Sequence, residues 1–199
     1  MKKLFLLIML LLLYTGCDNP VSKKIKETKE QVSNATEAVK ELNNIQDDIL
    51  KLQEVEPLTN EELKDWLPED IIGMKRIGYK AGQMGMVQIA SIEATYTTQD
   101  KSQKFKIEVI DGAGQMGAAA TAAMRFMFSQ DFEEESEYKT RRTITHNGVK
   151  AIEEYRKNSN SSIIEFMKGD RFYLKASGTN MNLDETWGAI EALEPDNLG

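Results

Sequence analysis

The sharpest pattern in the chain runs from Lys104 to Asp111. Phe105, Ile107 and Val109 alternate there with Lys104, Lys106 and Glu108. A period of two puts each set on one face of a strand, so this stretch predicts a strand with one dry and one wet face. Strand patterns also cover Met74 to Lys80, Val87 to Thr97, Tyr138 to Thr145, Val149 to Lys157, Ile163 to Lys168 and Arg171 to Ser177. His146-Asn147-Gly148 separates two of them, and Asn-Gly favours a tight type I′ hairpin. Helical patterns interrupt the strands. Thr59 and Glu62 form a capping box for a short helix that Pro68 ends. Gln115 to Ser129 predicts a helix with Met116, Ala120, Ala123, Met124 and Met127 inward. Asn182 and Glu185 open a last helix with Leu183, Trp187, Ile190 and Leu193 as its buried stripe. Consecutive hairpins with half-solvated strands predict an α+β class: a mainly antiparallel sheet with helices packed against it.

A different pattern precedes this domain. Val21 to Val55 has no Gly or Pro, and its apolar positions step by four and three: Val21, Ile25, Thr28, Val32, Ala35, Val39 and Leu42. That is a heptad seam. It slips after Leu42 and resumes at Ile45, Ile49 and Leu52. The expectation is a long N-terminal helix of roughly 50 Å ahead of the domain. It could form a coiled coil through residues 21–55, by self-association or with a partner helix.

The first residues carry an address. Lys2 and Lys3 precede an unbroken apolar run, Leu4 to Leu13. The run is too short to span a bilayer and has the length of a secretory h-region. Tyr14-Thr15-Gly16-Cys17 follows and resembles the lipobox of bacterial lipoproteins, with Tyr14 where that family prefers Leu. The resemblance implies cleavage between Gly16 and Cys17, acylation (including palmitate) of Cys17, and a lipid bilayer as partner. Residues 1–16 are then the signal peptide, 17–57 the lipidated Cys and helical tether, and 58–199 the domain. It further implies a place in the cell envelope facing the periplasm. Asp18 resembles the signal that retains such proteins in the inner membrane, which favours that membrane over the outer one. Cys17 is the only Cys, so no intramolecular disulfide can form.

The element order of the domain is similar to the PsbP-type sandwich. Short motifs, among them Leu67-Pro68, Gly73-Met74, Ala94-x-Tyr96 and Arg171-Phe172, resemble envelope proteins of Gram-negative bacteria over residues 63–198. Neither resemblance carries an activity.

Composition narrows the chemistry. A formal net charge of −7 with scattered Lys and Arg argues against nucleic acid, whose phosphates need clustered cations. Gly112, Gly114 and Gly117 spell GxGxxG between a strand and a helix, and Asp131 lies at ribose-binding distance along the chain. The wet strand face and the hairpins that follow oppose a dinucleotide fold, so no cofactor is expected. His146, the one histidine, reads as an exposed turn residue. No motif of nucleophilic or metal-assisted catalysis is present, so the chain reads as a non-enzyme with a binding or accessory role. The alternative is a small-molecule or Cu(I) carrier. Met84 and Met116 sit on two identical Ala-Gly-Gln-Met-Gly segments, Met86 follows the first of them, and soft thioethers select Cu(I).

Overall fold

The computed structural model describes residues 39–40, 43–83 and 89–199. The lipobox, Cys17 and most of the heptad seam lie outside the described residues. The compact unit that carries the sheet spans Asn43–Gly199. Its nine strands are β1 (Asp70–Ile71), β2 (Met74–Gln83), β3 (Ala90–Thr97), β4 (Lys104–Asp111), β5 (Glu133–Glu135), β6 (Lys139–His146), β7 (Val149–Arg156), β8 (Ser161–Lys168) and β9 (Phe172–Thr179). All pair antiparallel in one sheet of order β1-β2-β3-β4-β9-β8-β7-β6-β5.

This corrects the expected class. An α+β domain, or a PsbP-type sandwich, behind a long N-terminal helix is not what the described residues form. The reason lies in the pairing of β4 with β9, from Lys104↔Thr179 to Asp111↔Phe172. It fuses the two meanders into one continuous, mostly stranded layer. Helices are few: α1 (Asn60–Trp66), α2 (Gly114–Ser129) and α3 (Leu183–Glu191). No long N-terminal helix stands among the described residues. The helical residues there are 39–40 and 43–53, and they end before Pro57.

The strands divide their residues as alternation demands. Phe105, Ile107 and Val109 are fully buried on one face, with Ile92, Ala94, Tyr96, Ile164, Leu174 and Ala176. Leu63 from α1, and Trp187, Ala189 and Ile190 from α3, close this face. The other face holds a smaller core of Ile89, Ile110, Phe128, Ile152 and Tyr173 under α2. Beyond α2 that face is wet. Lys106 meets Glu93 at 2.7 Å, Lys175 meets Glu165 at 3.3 Å, and Arg141 reaches Glu154 at 3.7 Å. These charges satisfy one another across the strands.

Local chemistry fixes the ends. Thr59 and Glu62 make both bonds of the capping box on α1, and Asn182 and Glu185 do the same on α3. The hairpin turns on Asn147 and Gly148, with φ of 49° and 81°. Positive φ at both central residues is what a type I′ turn requires.

One face was legible only in part: Ala120, Met124 and Met127 pack against the smaller core as expected, but Met116 and Ala123 do not. α2 buries Gly117, Ala118, Thr121, Arg125 and Phe128. Met116 is 43 % exposed, and Ala123 also faces solvent. The helix is apolar nearly all round, so its sequence does not choose a face. The turn before it chooses, because Gly112 and Gly117 are the residues that can approach each other.

Candidate functional site at the root of the tether

β4 ends in Asp111, and α2 begins three residues later. The Asp111 carboxylate is fully buried and accepts four hydrogen bonds. Arg171 donates twice, from Nε to Oδ1 at 2.7 Å and from Nη2 to Oδ2 at 2.8 Å. The backbone N–H of Ala113 donates to Oδ1 at 2.9 Å and that of Leu58 to Oδ2 at 2.8 Å. A buried carboxylate is tolerated when it is paired and its lone pairs are filled. The same bond raises the pKa of Arg171.

Three contacts hold the chain that enters the domain. Leu58 is one. Arg171 Nη2 also donates to the carbonyl of Glu56 at 3.1 Å, and Gly114 N–H donates to the carbonyl of Val55 at 3.0 Å. Residues 55–58 are thereby tied to the β4–α2 turn and to the start of β9. Residues 43–53, which precede Val55, are helical. Leu52 is buried. Arg125 sits in a site whose burial outweighs the opposing pull of the Asp170 and Asp48 carboxylates. Burial thereby pushes the Arg125 pKa down. Arg125 is 8 % exposed and donates to Thr121 Oγ1 at 3.1 Å. Its Nε has no hydrogen-bond partner among the described residues.

The glycines of GxGxxG serve this packing. A Cβ on Gly112 would stand 2.5 Å from the Arg171 carbonyl, and one on Gly117 would stand 2.5 Å from the Asp111 carbonyl. Gly114 has φ +72°, and its Cβ would press on Pro57 at 3.0 Å. The three positions seat a helix against a strand and residues 55–58 against both. The amide of Gly114 is already engaged by Val55. The backbone that would cradle a pyrophosphate is therefore occupied by the chain itself.

The other residues singled out from sequence fall as follows. Met84 and Met86 lie outside the described residues. Met116 stands on the first turn of α2, pointing away from the sheet cores. Asp131 pairs with Lys150 at 2.8 Å.

His146 is a correction. Its ring stacks on Trp187 at 3.9 Å with the planes 10° apart, and Nε2 lies 3.1 Å from Glu191 Oε1. Trp187 Nε1 donates to the buried Glu153 at 2.8 Å. A turn residue became half of an aromatic stack because α3 crosses beneath the β6–β7 hairpin, which no local pattern reveals. Among the described residues no group of three or more His, Cys, Asp or Glu could hold a metal ion. A groove of about 700 Å³ runs between α1 and the C-terminal residues, lined by Leu58, Glu62, Trp66, Leu193 and Asn197 among others.

The clamp residues Asp111 and Arg171 were missed as a pair. Their signals existed separately: a carboxylate closing an alternating strand, and an Arg just before the next-to-last apolar run. Only the β4–β9 pairing joins them.

No family model matches the chain, and no curated protein matches it. Among solved structures it is similar to a crystal structure of a GTP binding regulator from Thermotoga maritima, at 13 % identity over 69 % of this chain and 83 % of that one. The TM-score is 0.30, and at that value the likeness carries no argument about this chain.

Proposed function

We propose that this protein is a lipid-anchored component of the bacterial cell envelope, facing the periplasm, whose domain has a non-catalytic binding or accessory role. The observation that carries the reading is the clamp at Asp111. A chain that only needed a flexible leash would not spend a buried ion pair and two further backbone bonds on residues 55–58. Fixing the root hands the orientation of the tether on to the sheet. The basic n-region, the apolar run and Tyr14-Thr15-Gly16-Cys17 support attachment through acylated Cys17. Asp18 supports the inner membrane. The seam in residues 21–55 supports a helical spacer that also meets a protein partner or a second copy.

Two measurements test this. Membrane fractionation of the wild type and of Cys17→Ser should place the first in the pellet and the second in the soluble fraction. A pellet-bound Cys17→Ser protein overturns the anchor. Cross-linking of the anchored protein in cells, followed by mass spectrometry, should return an envelope partner that the Asp111→Asn variant retains poorly. Equal recovery from both overturns the role given to the clamp.

A further inference from the structure

The groove between α1 and the chain that follows α3 has a volume of about 700 Å³, within the about 300–1,000 Å³ of small-molecule sites. Its floor is apolar. Leu58 and Trp66 pack against the main core from one side, and the buried Leu193 does so from the other. Its walls are acidic. Glu62 and Asp65 stand three residues apart on α1, which puts them on one face of that helix with Trp66. Glu194 stands on the opposite wall, and its carbonyl accepts from Trp66 Nε1 at 3.4 Å. None of the described residues lining the groove is Lys, Arg or His. Elsewhere acids such as Glu93, Glu165 and Glu154 meet a cation across the strands. None of these three carboxylates enters an ion pair among the described residues. Glu62 stays ionised, because the Thr59 backbone N–H and hydroxyl both donate to Oε2 at 2.8 Å and lower its pKa. Its Oε1 takes no part in that cap.

Charge complementarity calls for a cation here, and two observations set its shape. Among the described residues no group of three or more His, Cys, Asp or Glu could hold a metal ion. The three carboxylates therefore do not converge on one point, and a compact cation cannot meet them all. The second observation is Trp66, whose indole reaches from one wall to the other. It leaves an aromatic surface between the carboxylates, where an alkyl chain can pack and an ammonium is attracted to the ring face. The geometry points to a binding site for a linear polyamine. Ammonium groups at its ends meet Glu62 and Asp65 on one wall and Glu194 on the other, each with three N–H donors. The methylenes between them cover Trp66, Leu58 and Leu193. Asn197 Nδ2 donates to Glu194 Oε2 at 2.7 Å, which holds that carboxylate in place while its second oxygen takes the ligand. The inference goes beyond the envelope role and does not rest on it, because the site needs neither Cys17 nor the residues before the domain.

Titration of spermidine into the full chain carrying Cys17→Ser, at about 0.15 M ionic strength, tests this. Binding should saturate below ~1 mM and change the tryptophan fluorescence, and Trp66→Phe should remove that change. Asp65→Asn and Glu194→Gln should each weaken binding about five-fold, the loss of one partly exposed ion pair. Both positions are exposed, so near-ultraviolet circular dichroism should stay unchanged. Magnesium chloride should displace spermidine no better than sodium chloride of equal ionic strength, and a neutral diol of like length should not bind. A titration that never saturates overturns the site. So does an affinity that neither carboxylate variant changes. Displacement by magnesium beyond the effect of ionic strength also overturns it, since the groove would then be a general acidic patch.

Discussion

Arg171 grips Asp111 with two parallel hydrogen bonds of 2.7 and 2.8 Å, across 60 residues of chain, around a carboxylate with no exposed surface. The pair joins the end of β4 to the start of β9, the strands at the centre of the sheet. It also holds the entering chain at Glu56 and Leu58.

Asp111→Asn should therefore be costly. It leaves the Arg171 guanidinium without its counter-charge. Removing one partner of a buried pair ordinarily costs ~3–5 kcal/mol. Arg171 is 24 % exposed, so water recovers part of that, and a loss of about 3 kcal/mol is expected in urea unfolding. Residues 43–57 should also become protease-sensitive before the sheet does. Cleavage of both at one rate would argue against a clamp.

The glycines should sort by packing rather than by motif. Gly117→Ala places a methyl against the Asp111 carbonyl, and backbone cannot yield cheaply. A loss of about 1–3 kcal/mol is expected. Gly78→Ala meets nothing within 4 Å and should stay within ~0.5 kcal/mol of the wild type. Thermal denaturation of the two variants compares them directly.

Arg125 should behave in the opposite sense to Asp111. Its charge is buried, burial lowers its pKa, and Nε is unbonded among the described residues. Replacing an imperfectly satisfied buried ion with an apolar side chain of like volume is often neutral or stabilising. Arg125→Met should keep the fold and match or exceed wild-type stability by about 1 kcal/mol. A clear loss would mean that Asp48 or Asp170 pairs with it more closely than the geometry indicates.

Acid should act through the β3–β4 turn. Asp100 Oδ1 accepts from Thr98 Oγ1, Ser102 N and Ser102 Oγ, which holds its pKa down at about 2 from an ordinary 3.8. A depressed carboxylate stabilises the fold fully above its unfolded pKa, and the contribution is lost as pH falls through the folded value. Asp100→Asn should flatten the decline in stability between pH 3.8 and about 2 and leave the slope above that range unchanged. Denaturation midpoints at stepped pH values check it.

Much of the local structure was legible in order along the chain. Phe105, Ile107 and Val109 declared their face because a strand repeats every two residues. Thr59 with Glu62, and Asn182 with Glu185, declared their helix starts because a cap needs an acceptor at one fixed spacing.

Other features were not written in any one stretch. α2 hid its buried face because Ala and Met at most positions leave no preferred side. Close approach of Gly112 and Gly117 made the choice. His146 read as a turn residue because Trp187, which it stacks on, is 41 residues away. The site at Asp111 needed three separate pieces of chain.

The sequence by itself determined the strands, turns and caps, because their rules act over two to four residues. It also carries Lys2 to Cys17, which resemble an export and acylation signal. Tertiary structure alone decided that two meanders become one nine-stranded sheet, since that rests on β4 pairing with β9. It alone decided that the glycines of GxGxxG seat residues 55–58, because the amide of Gly114 bonds to Val55 and a Cβ there would meet Pro57. Long-range pairing is a property of the packed whole, and no local pattern states which edge a strand will meet.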